Sequence, residues 1–241
     1  MKKTILKFGL FTVSALALIS LGWAVQEDLL KTSKGDLKIG CIGHGTLMFV
    51  FGGKTIHVDP VGRYADYATL PKADIILITH EHGDHLDPKA VDAIKTPATE
   101  IIATEACKAT LPTAVVMKNG DTRDFQGIKI DAVPAYNSSP GVSFHPKGRG
   151  NGYVLTFADK RVYVAGDTEN IPELAALKGV DVAFLPVNLP YTMSVEMAAA
   201  AAKVLQPKIF YPYHFGNSDI AKLVELLKSE KGIEVRVRDM K

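Results

Sequence analysis

Residues 79–87, with the sequence THEHGDHLD, follow directly on the apolar run at residues 75–78. Histidine is seldom fully buried and aspartate is almost never buried unpaired. Gathering four such side chains at the end of a predicted buried strand therefore costs stability unless a partner compensates. A divalent cation is such a partner, and a solvated, histidine-rich turn is the less favoured alternative. The four side chains are His80, His82, Asp84 and His85.

The N-terminal residues predict an export signal. Lys2, Lys3 and Lys7 make a basic start, and residues 8–25 carry no charge. Small residues at the end of this segment predict cleavage after about Ala24, so that residues 1–24 are a signal peptide and the protein is exported, to the periplasm. The alternative is an uncleaved membrane anchor, because 18 uncharged residues are just long enough to span a bilayer.

Charge and cysteine content exclude some partners. Loss of the three signal lysines lowers the 28 basic residues to 25 against 26 acidic ones, so the net charge of +2 becomes −1. Such a balance provides no electrostatic reason to expect nucleic acid as a partner. Cys41 and Cys107 are too far apart in sequence for a CxxC ligand pair, and two buried free thiols are favoured over a disulfide.

The order of elements predicts two halves of similar build. Strands at residues 37–42, 47–51 and 54–59 form an antiparallel opening, after which strands alternate with helices. The second half opens on a strand at residues 128–135 and a hairpin at residues 153–165, and then also alternates. Helices are predicted at residues 88–94, 105–111, 172–177, 194–205 and 219–227.

Continuous apolar strands separated by helices indicate an α/β protein in which two sheets pack together with helices outside. We expect one domain over residues 37–241, preceded by a polar lead at residues 26–36. The loop at residues 136–152 is long and rich in Asn, Ser, Pro and Gly, which favours a functional role.

Two further polar residues stand at strand exits. Asp167 ends a predicted strand within the sequence AGDT, and His214 ends another after residues 211–213. Each alone is more often a turn or cap residue. Together with the histidine cluster they favour one pocket, since strand exits of α/β folds gather at the same edge.

The segment THEHGDH at residues 79–85 matches the HxHxDH signature of the metallo-β-lactamase superfamily, which the chain resembles over residues 37–237. Residues 166–168 and 213–214 match later motifs in the same order. Within the superfamily the chain is similar to the UlaG-like and N-acylphosphatidylethanolamine phospholipase D-like metal-dependent hydrolases. The segments that carry this narrower resemblance are GHGT at 43–46, VDP at 58–60, AGDT at 165–168 and LPV at 185–187.

The resemblance implies a four-layer αββα sandwich with two divalent metal ions at its edge, zinc in the first instance, with manganese or iron as other candidates. It implies that His80 and His82 bind the first metal and that Asp167 bridges both. The second metal would be bound by Asp84, His85 and His214. Asp59 would orient a ligand histidine or a neighbouring loop, or would simply cap the turn before Pro60.

The chain departs from the family at one ligand. The family supplies a third histidine to the first metal at a position that here holds Asn137. The other histidine free to complete that site is His145, in the long loop. Two alternatives stay open: His145 replaces the missing ligand, or Asn137 and water leave the first metal with a weaker site.

These residues predict a hydrolase that uses a dinuclear site to activate water against an ester, lactone or phosphodiester bond, with Asp84 as the catalytic proton acceptor and donor. Its substrate would be a small molecule or lipid contacted by Tyr191, near Lys147 and Arg149 at the mouth of the pocket. His44, between two glycines, would either contact the substrate as well or be a structural turn residue. The alternatives are an iron-dependent redox or sulfur enzyme and a non-catalytic metal-binding module. A membrane contact is expected only if the N-terminal segment is uncleaved.

Overall fold

A computed structural model describes residues 25–240, so the predicted signal peptide or anchor at residues 1–24 lies outside the described residues. Within residues 25–240, no helix has the length and apolar character needed to cross a membrane. The first of two seven-stranded sheets follows chain order. Its strands are β1 (Gln26–Thr32), β2 (Gly35–Gly43), β3 (Thr46–Phe51), β4 (Lys54–Val58), β5 (Ile75–Leu77), β6 (Glu100–Ala103) and β7 (Val115–Val116).

The second sheet repeats this plan. In the first sheet, neighbouring strands pair antiparallel from β1 to β4 and parallel from β4 to β7. In the second sheet, the change from antiparallel to parallel pairing also falls at the fourth strand. The predicted order of an antiparallel opening and a parallel continuation is therefore present in both halves. The strands are β8 (Thr122–Phe125), β9 (Ile128–Ala135), β10 (Gly150–Phe157), β11 (Lys160–Val164), β12 (Val182–Pro186), β13 (Ile209–Tyr213) and β14 (Glu234–Val235).

Three α-helices begin behind side-chain caps. They are α1 (Pro88–Ile94), α2 (Val195–Leu205) and α3 (Ile220–Leu227). The side chains of Asp87, Ser194 and Asp219 accept hydrogen bonds from amides in the first turn, which satisfies donors that a helix leaves unpaired. The predicted helices at 105–111 and 172–177 are instead short 3₁₀ segments, Glu105–Ala109 and Pro172–Leu177, and neither has a side-chain cap.

The main core lies between the two sheets. The ring of Phe49 on β3 packs 5.7 Å from that of Phe157 on β10 and 6.2 Å from that of Phe184 on β12, measured between centroids. On β5, Ile75 and Leu77 join this core, whereas Ile76 points into a second core beneath α1. Successive side chains of β5 point to opposite faces of the sheet, and both faces are buried, one by the other sheet and one by α1. This is the predicted layering of sheets inside and helices outside.

Residues 26–36 are not a lead segment, because residues 26–32 form β1 and pair with β2. The polar composition of these residues gave no strand pattern from which β1 could be predicted. Asp28 accepts hydrogen bonds from Arg238 and Tyr211, and Leu30 packs against the core while Leu29 stays exposed. An edge strand with one solvated face needs few apolar residues, so its sequence resembles a loop. Strand β8 was missed for the same reason.

The cysteine prediction is confirmed: Cys41 and Cys107 are buried free thiols. They belong to the two different cores, Cys41 between the sheets and Cys107 beneath α1. Burial raises the pKa of the Cys41 thiol to about 12, so Cys41 acts as a small apolar residue and not as a reactive thiolate.

His57 makes stability depend on pH. It is fully buried on β4, its Nε2 lies 3.0 Å from the Pro71 carbonyl oxygen, and burial lowers its pKa from 6.5 to about 4. The unfolded chain therefore takes up the proton first as the pH falls, so stability present above pH 6.5 is lost towards pH 4. We expect the free energy of unfolding of the wild type to fall by about 3 kcal/mol more than that of His57→Gln between pH 7.5 and 4.

Denaturant unfolding of both proteins in excess chelator, across this pH range, measures the difference. The chelator removes any contribution from metal binding, and comparing the two proteins cancels the titration of every other group. Parallel pH profiles for the two proteins would show that His57 is not held neutral by its burial.

Candidate metal centre

The predicted site residues come together at one edge of the sandwich, although they come from both sheets. The histidine-rich loop follows β5 in the first sheet, while Asp167 and His214 follow β11 and β13 in the second. His145 lies in the long loop that precedes β10. This is the edge where the parallel strands of both sheets end, which is where side chains of α/β folds converge on ligands.

Three histidines and Asp167 form the first group of ligand atoms. His82 Nδ1 lies 3.1 Å from His80 Nε2 and 3.2 Å from His145 Nε2, and His145 Nε2 lies 3.2 Å from Asp167 Oδ2. The His80 Nε2 to Asp167 Oδ2 distance is 3.9 Å. Ligands about 2.1 Å from a tetrahedral zinc ion lie roughly 3.4 Å from one another, so this group has the size of a zinc site.

A second group shares Asp167 with the first. His214 Nε2 lies 3.5 Å from Asp84 Oδ2 and 3.3 Å from Asp167 Oδ2, and His85 Nε2 lies 3.3 Å from Asp167 Oδ1. His44 Nε2 also joins this group, 3.2 Å from Asp84 Oδ2. Asp167 therefore faces both groups and has the position of a bridging carboxylate.

Several buried atoms of these groups lack hydrogen bonds. Among the described residues, His85 Nε2, His214 Nε2 and Asp167 Oδ1 are buried without a hydrogen-bond partner. Unpaired buried polar atoms are costly, and bound cations would satisfy all three. Burial and neighbouring histidines lower the pKa of both His80 and His82, which keeps these rings in the neutral, metal-binding form. The chain's own residues thus fit metal ions.

The structure brings His145, and not Asn137, to the three-histidine group. Asn137 Oδ1 instead accepts hydrogen bonds from the backbone N of His145 at 2.8 Å and from its Nδ1 at 3.2 Å. The amide nitrogen of Asn137 donates to the backbone oxygen of Tyr191 at 2.8 Å. With Nδ1 protonated and donating to Asn137, His145 presents Nε2 to the group.

Asp59 holds histidines of both groups. Its Oδ2 accepts from His85 Nδ1 at 2.7 Å and from the Thr79 hydroxyl at 2.6 Å, and that hydroxyl lies 3.0 Å from His80 Nδ1. The Thr79 hydroxyl therefore donates to Asp59 and accepts from His80. These contacts leave the Nε2 atoms of both rings facing the centre.

Replacing Asp59 with asparagine is expected to weaken metal binding in both groups, by about 10- to 100-fold each, because His85 loses its carboxylate partner and the Thr79 hydroxyl that holds His80 loses its own. Thr79→Val removes the hydroxyl that contacts both His80 and Asp59 but leaves the bond between Asp59 and His85, so it should weaken the three-histidine group more than the second group. Competitive titration against a chromogenic chelator resolves two affinities and measures both variants. If Thr79→Val lowered the metal affinity of both sites equally, the assignment of Thr79 to the three-histidine group would be wrong.

The backbone around the centre is strained. His44, Asp59 and His214 have φ angles of 53°, 48° and 49°, in the left-handed region that residues with side chains rarely adopt. The backbone N of His214 donates to the His44 carbonyl oxygen at 3.0 Å, which links two of these residues directly. Such strain tends to concentrate at functional sites, where surrounding contacts impose it.

Gly166 is required next to Asp167. Its φ is 63°, and a Cβ there would lie 2.8 Å from the Asn151 carbonyl oxygen and 3.0 Å from the Cβ of Thr79. Any side chain would push the strand exit away from the histidine loop. The glycine of the AGDT motif therefore allows Asp167 to reach both groups.

Sequence reasoning missed two residues that support the centre. Thr79 links Asp59 to His80, as described above. Glu169 is 2% exposed, and its Oε2 accepts from the backbone N of Ser138 at 2.9 Å and of Ser139 at 2.7 Å, which anchors the start of the long loop. An acidic residue two positions after a ligand at a strand exit was the available signal, since a buried carboxylate needs such partners.

The two predicted cations at the mouth are paired. Lys147 Nζ lies 2.7 Å from Glu173 Oε1, and Arg149 forms an ion pair with Glu81. Tyr191 is 45% exposed beside this mouth. His44, by contrast, is part of the second group of ligand atoms and is largely covered by its neighbours.

Comparison with known proteins agrees with this geometry. A family model described as a beta-lactamase superfamily domain matches residues 38–214. A UPF0173 metal-dependent hydrolase from Nanoarchaeum equitans is 30% identical over 215 residues, which is 83% of this chain and 96% of that protein.

Solved structures show the same fold. A protein from Parabacteroides distasonis, described as a metal-dependent hydrolase, is 55% identical with a TM-score of 0.88, covering 90% of this chain and 100% of its own. Igni18, described as a metallo hydrolase from Ignicoccus hospitalis, has a TM-score of 0.71 at 24% identity, covers 84% and 95% of the two chains, and shows the fold alone.

The chain therefore belongs to the beta-lactamase superfamily, with the metallo-β-lactamase fold. It is a metal-dependent hydrolase, as are the relatives that it matches over most of their length. The family, the fold and the enzyme class predicted from the motif at residues 79–85 are confirmed.

Proposed function

We propose that this hydrolase uses two metal ions, zinc in the first instance, to break an ester, lactone or phosphodiester bond. The observation that supports a dinuclear site is the position of Asp167, whose two oxygens lie within 3.3 Å of ligand atoms in both groups. A site for one ion needs no second set of nitrogen atoms around the same carboxylate.

Two bound divalent ions would supply a water molecule of lowered pKa and would polarise the substrate's carbonyl or phosphoryl oxygen. The chain supplies the proton acceptor. The Asp84 side chain is 35% exposed, whereas those of Asp59 and Asp167 are 1% and 3% exposed, so Asp84 is the carboxylate that reaches a substrate. It can accept a proton from the attacking water and pass it to the leaving oxygen.

His44 and His214 hold the Asp84 carboxylate. Burial opposes the charged form of Asp84, but the neighbouring rings of His214 and His44 outweigh it and hold the pKa of Asp84 below its usual value. The ring of His44 stacks on that of Tyr64, with centroids 5.3 Å apart, and lies 3.7 Å from that of His214. The carboxylate is therefore positioned before any substrate binds.

Iron is the second candidate metal, because histidine and carboxylate ligands suit iron as well as zinc, and it would support redox or sulfur chemistry on the same ligands. Elemental analysis of protein purified without added metal discriminates the two. About two equivalents of zinc support the proposal, whereas two of iron support the alternative. A non-catalytic module is disfavoured because both groups of ligand atoms are complete.

A screen of the metal-loaded protein tests the function. The panel contains lactones, phosphodiesters, phospholipids and thioesters, and the chelator-treated protein is the control. Turnover of one class that disappears with chelator and returns with metal supports hydrolysis at this centre. Full metal occupancy with no turnover of any class would instead support a binding module.

We also propose a small-molecule or lipid substrate, not nucleic acid, and export of the protein to the periplasm. The mature charge of −1 and the basic, then uncharged N-terminal segment support these two points. Fractionation of cells that express the full chain or a variant lacking residues 2–24 tests the location. A full-length chain found in the membrane fraction would favour the anchor over a cleaved signal.

A further inference from the structure

Two exposed aromatic side chains touch beside the metal centre. Phe144 and Tyr191 are each 45% exposed, and their rings meet edge to face with centroids 4.9 Å apart. Single exposed apolar residues are common on protein surfaces and need no explanation. An exposed pair from two different loops, in contact at the mouth of a site, is informative because such surfaces mark ligand contacts.

The pair belongs to the metal centre by position. Phe144 directly precedes His145 and lines the same cavity as His80, His82 and Asp167. A group that rests on the Phe144 ring is therefore next to any bond held at the three-histidine group.

The two loops are tied together, so the rings keep their places. The amide nitrogen of Asn137 donates to the backbone oxygen of Tyr191 at 2.8 Å, and Asn137 Oδ1 holds the backbone N of His145 at 2.8 Å. The Asn137 side chain thus connects His145, which follows Phe144, with Tyr191. Rigid aromatic surfaces bind apolar groups at low entropic cost.

Two cations also lie near the mouth of the metal centre. They are Lys147 and Arg149, which pair with Glu173 and Glu81 respectively. Both side chains stay exposed, at 64% and 56%, and the apolar ring pair is a further surface open to a ligand beside the three-histidine group.

We propose that Phe144 and Tyr191 form a subsite for an apolar acyl or aryl group attached to the scissile bond. This inference rests on the proposed hydrolytic function and deepens it. The substrate class becomes an ester, lactone or phosphodiester with a hydrocarbon chain or ring next to the bond that is cut.

Binding of alkyl hydroxamates to the metal-loaded protein tests the subsite without turnover. A hydroxamate ligates a metal ion, and its chain extends towards the mouth. We expect octanohydroxamate to bind the wild type at least tenfold more tightly than acetohydroxamate, as measured by calorimetry. A factor of about ten corresponds to roughly 50 Å² of apolar surface covered by the rings.

Phe144→Ala and Tyr191→Ala should each remove most of this preference while acetohydroxamate binding stays unchanged. Tyr191→Ala is needed because Phe144 adjoins His145, and the metal content of both variants is measured. Val224→Ala, at a residue on α3 that is 40% exposed, is the matched control and should keep the full preference.

The chain-length series of p-nitrophenyl esters, assayed in parallel, separates the two proposals. If the wild type binds acetohydroxamate and cleaves short esters but gains nothing from longer chains, the subsite is refuted and the hydrolytic function stands. A preference that survives in both alanine variants also refutes it. If the loaded wild type neither binds a hydroxamate nor cleaves any compound of the panel, the proposed function fails and the subsite with it.

Discussion

Replacing Asp84 with asparagine is expected to lower turnover by about 10³-fold while the fold and the metal content are retained. Asparagine keeps an oxygen at the same place, so the second group loses no ligand position. It removes the group that accepts a proton from water and passes it on, and such a group contributes roughly 10²- to 10⁴-fold. Steady-state kinetics on the substrate class found in the screen measures the loss.

The control for Asp84→Asn is Asp92→Asn on α1, where the side chain is 64% exposed and pairs with Lys95 on the surface. That variant should retain wild-type turnover, because exposed ion pairs contribute little. Retained turnover in Asp84→Asn itself would show that the attacking water needs no carboxylate partner.

Replacing His145 with alanine is expected to reduce the bound metal from two equivalents to about one, with a corresponding loss of turnover. His145 is the third nitrogen of the first group, and without it that group retains two histidines and the shared Asp167. Because Asp167 is shared with the second group, the first metal would then have only two protein ligands of its own, fewer than the three that catalytic zinc sites provide. Elemental analysis after dialysis measures the stoichiometry.

His57→Gln is the control for His145→Ala, because His57 is an equally buried histidine outside the centre. It should retain two equivalents. Asn137→Ala should lie between the two, with both metals bound but the first about 10- to 100-fold more weakly, since His145 loses its orienting amide. A full two equivalents in His145→Ala would remove His145 from the ligand set and return the third position to Asn137 or water.

The layered fold was predictable because hydrophobic pattern and order of elements suffice to specify it. Apolar runs such as residues 75–78 can be buried only between two layers, and caps such as Asp87 and Ser194 mark where helices begin. Strand β1 was not predictable in this way. Its pairing with β2 and the ion pair from Asp28 to Arg238, 210 residues apart, are long-range contacts that leave no local pattern.

The ligand set was predictable in part. Residues 79–87 concentrate four candidate ligands in one segment, and Asp167 and His214 stand at strand exits, which the fold gathers at one edge. The role of His44 in the second group was not anticipated. A histidine between two glycines indicates a turn, and only the positive φ of that turn together with the position of Asp84 places its ring within 3.2 Å of the carboxylate.

The histidine cluster at residues 79–87 by itself determined the chemistry of this protein, because so many ligands at one strand exit require a cation. Tertiary structure alone decided how the centre is completed. Sequence left His145 and Asn137 as alternatives, since a 17-residue loop has no preferred path that a pattern can reveal. Hydrogen bonds across that loop place His145 with His80 and His82 and assign Asn137 to orienting it, because a side chain's position depends on contacts that form only when the chain folds.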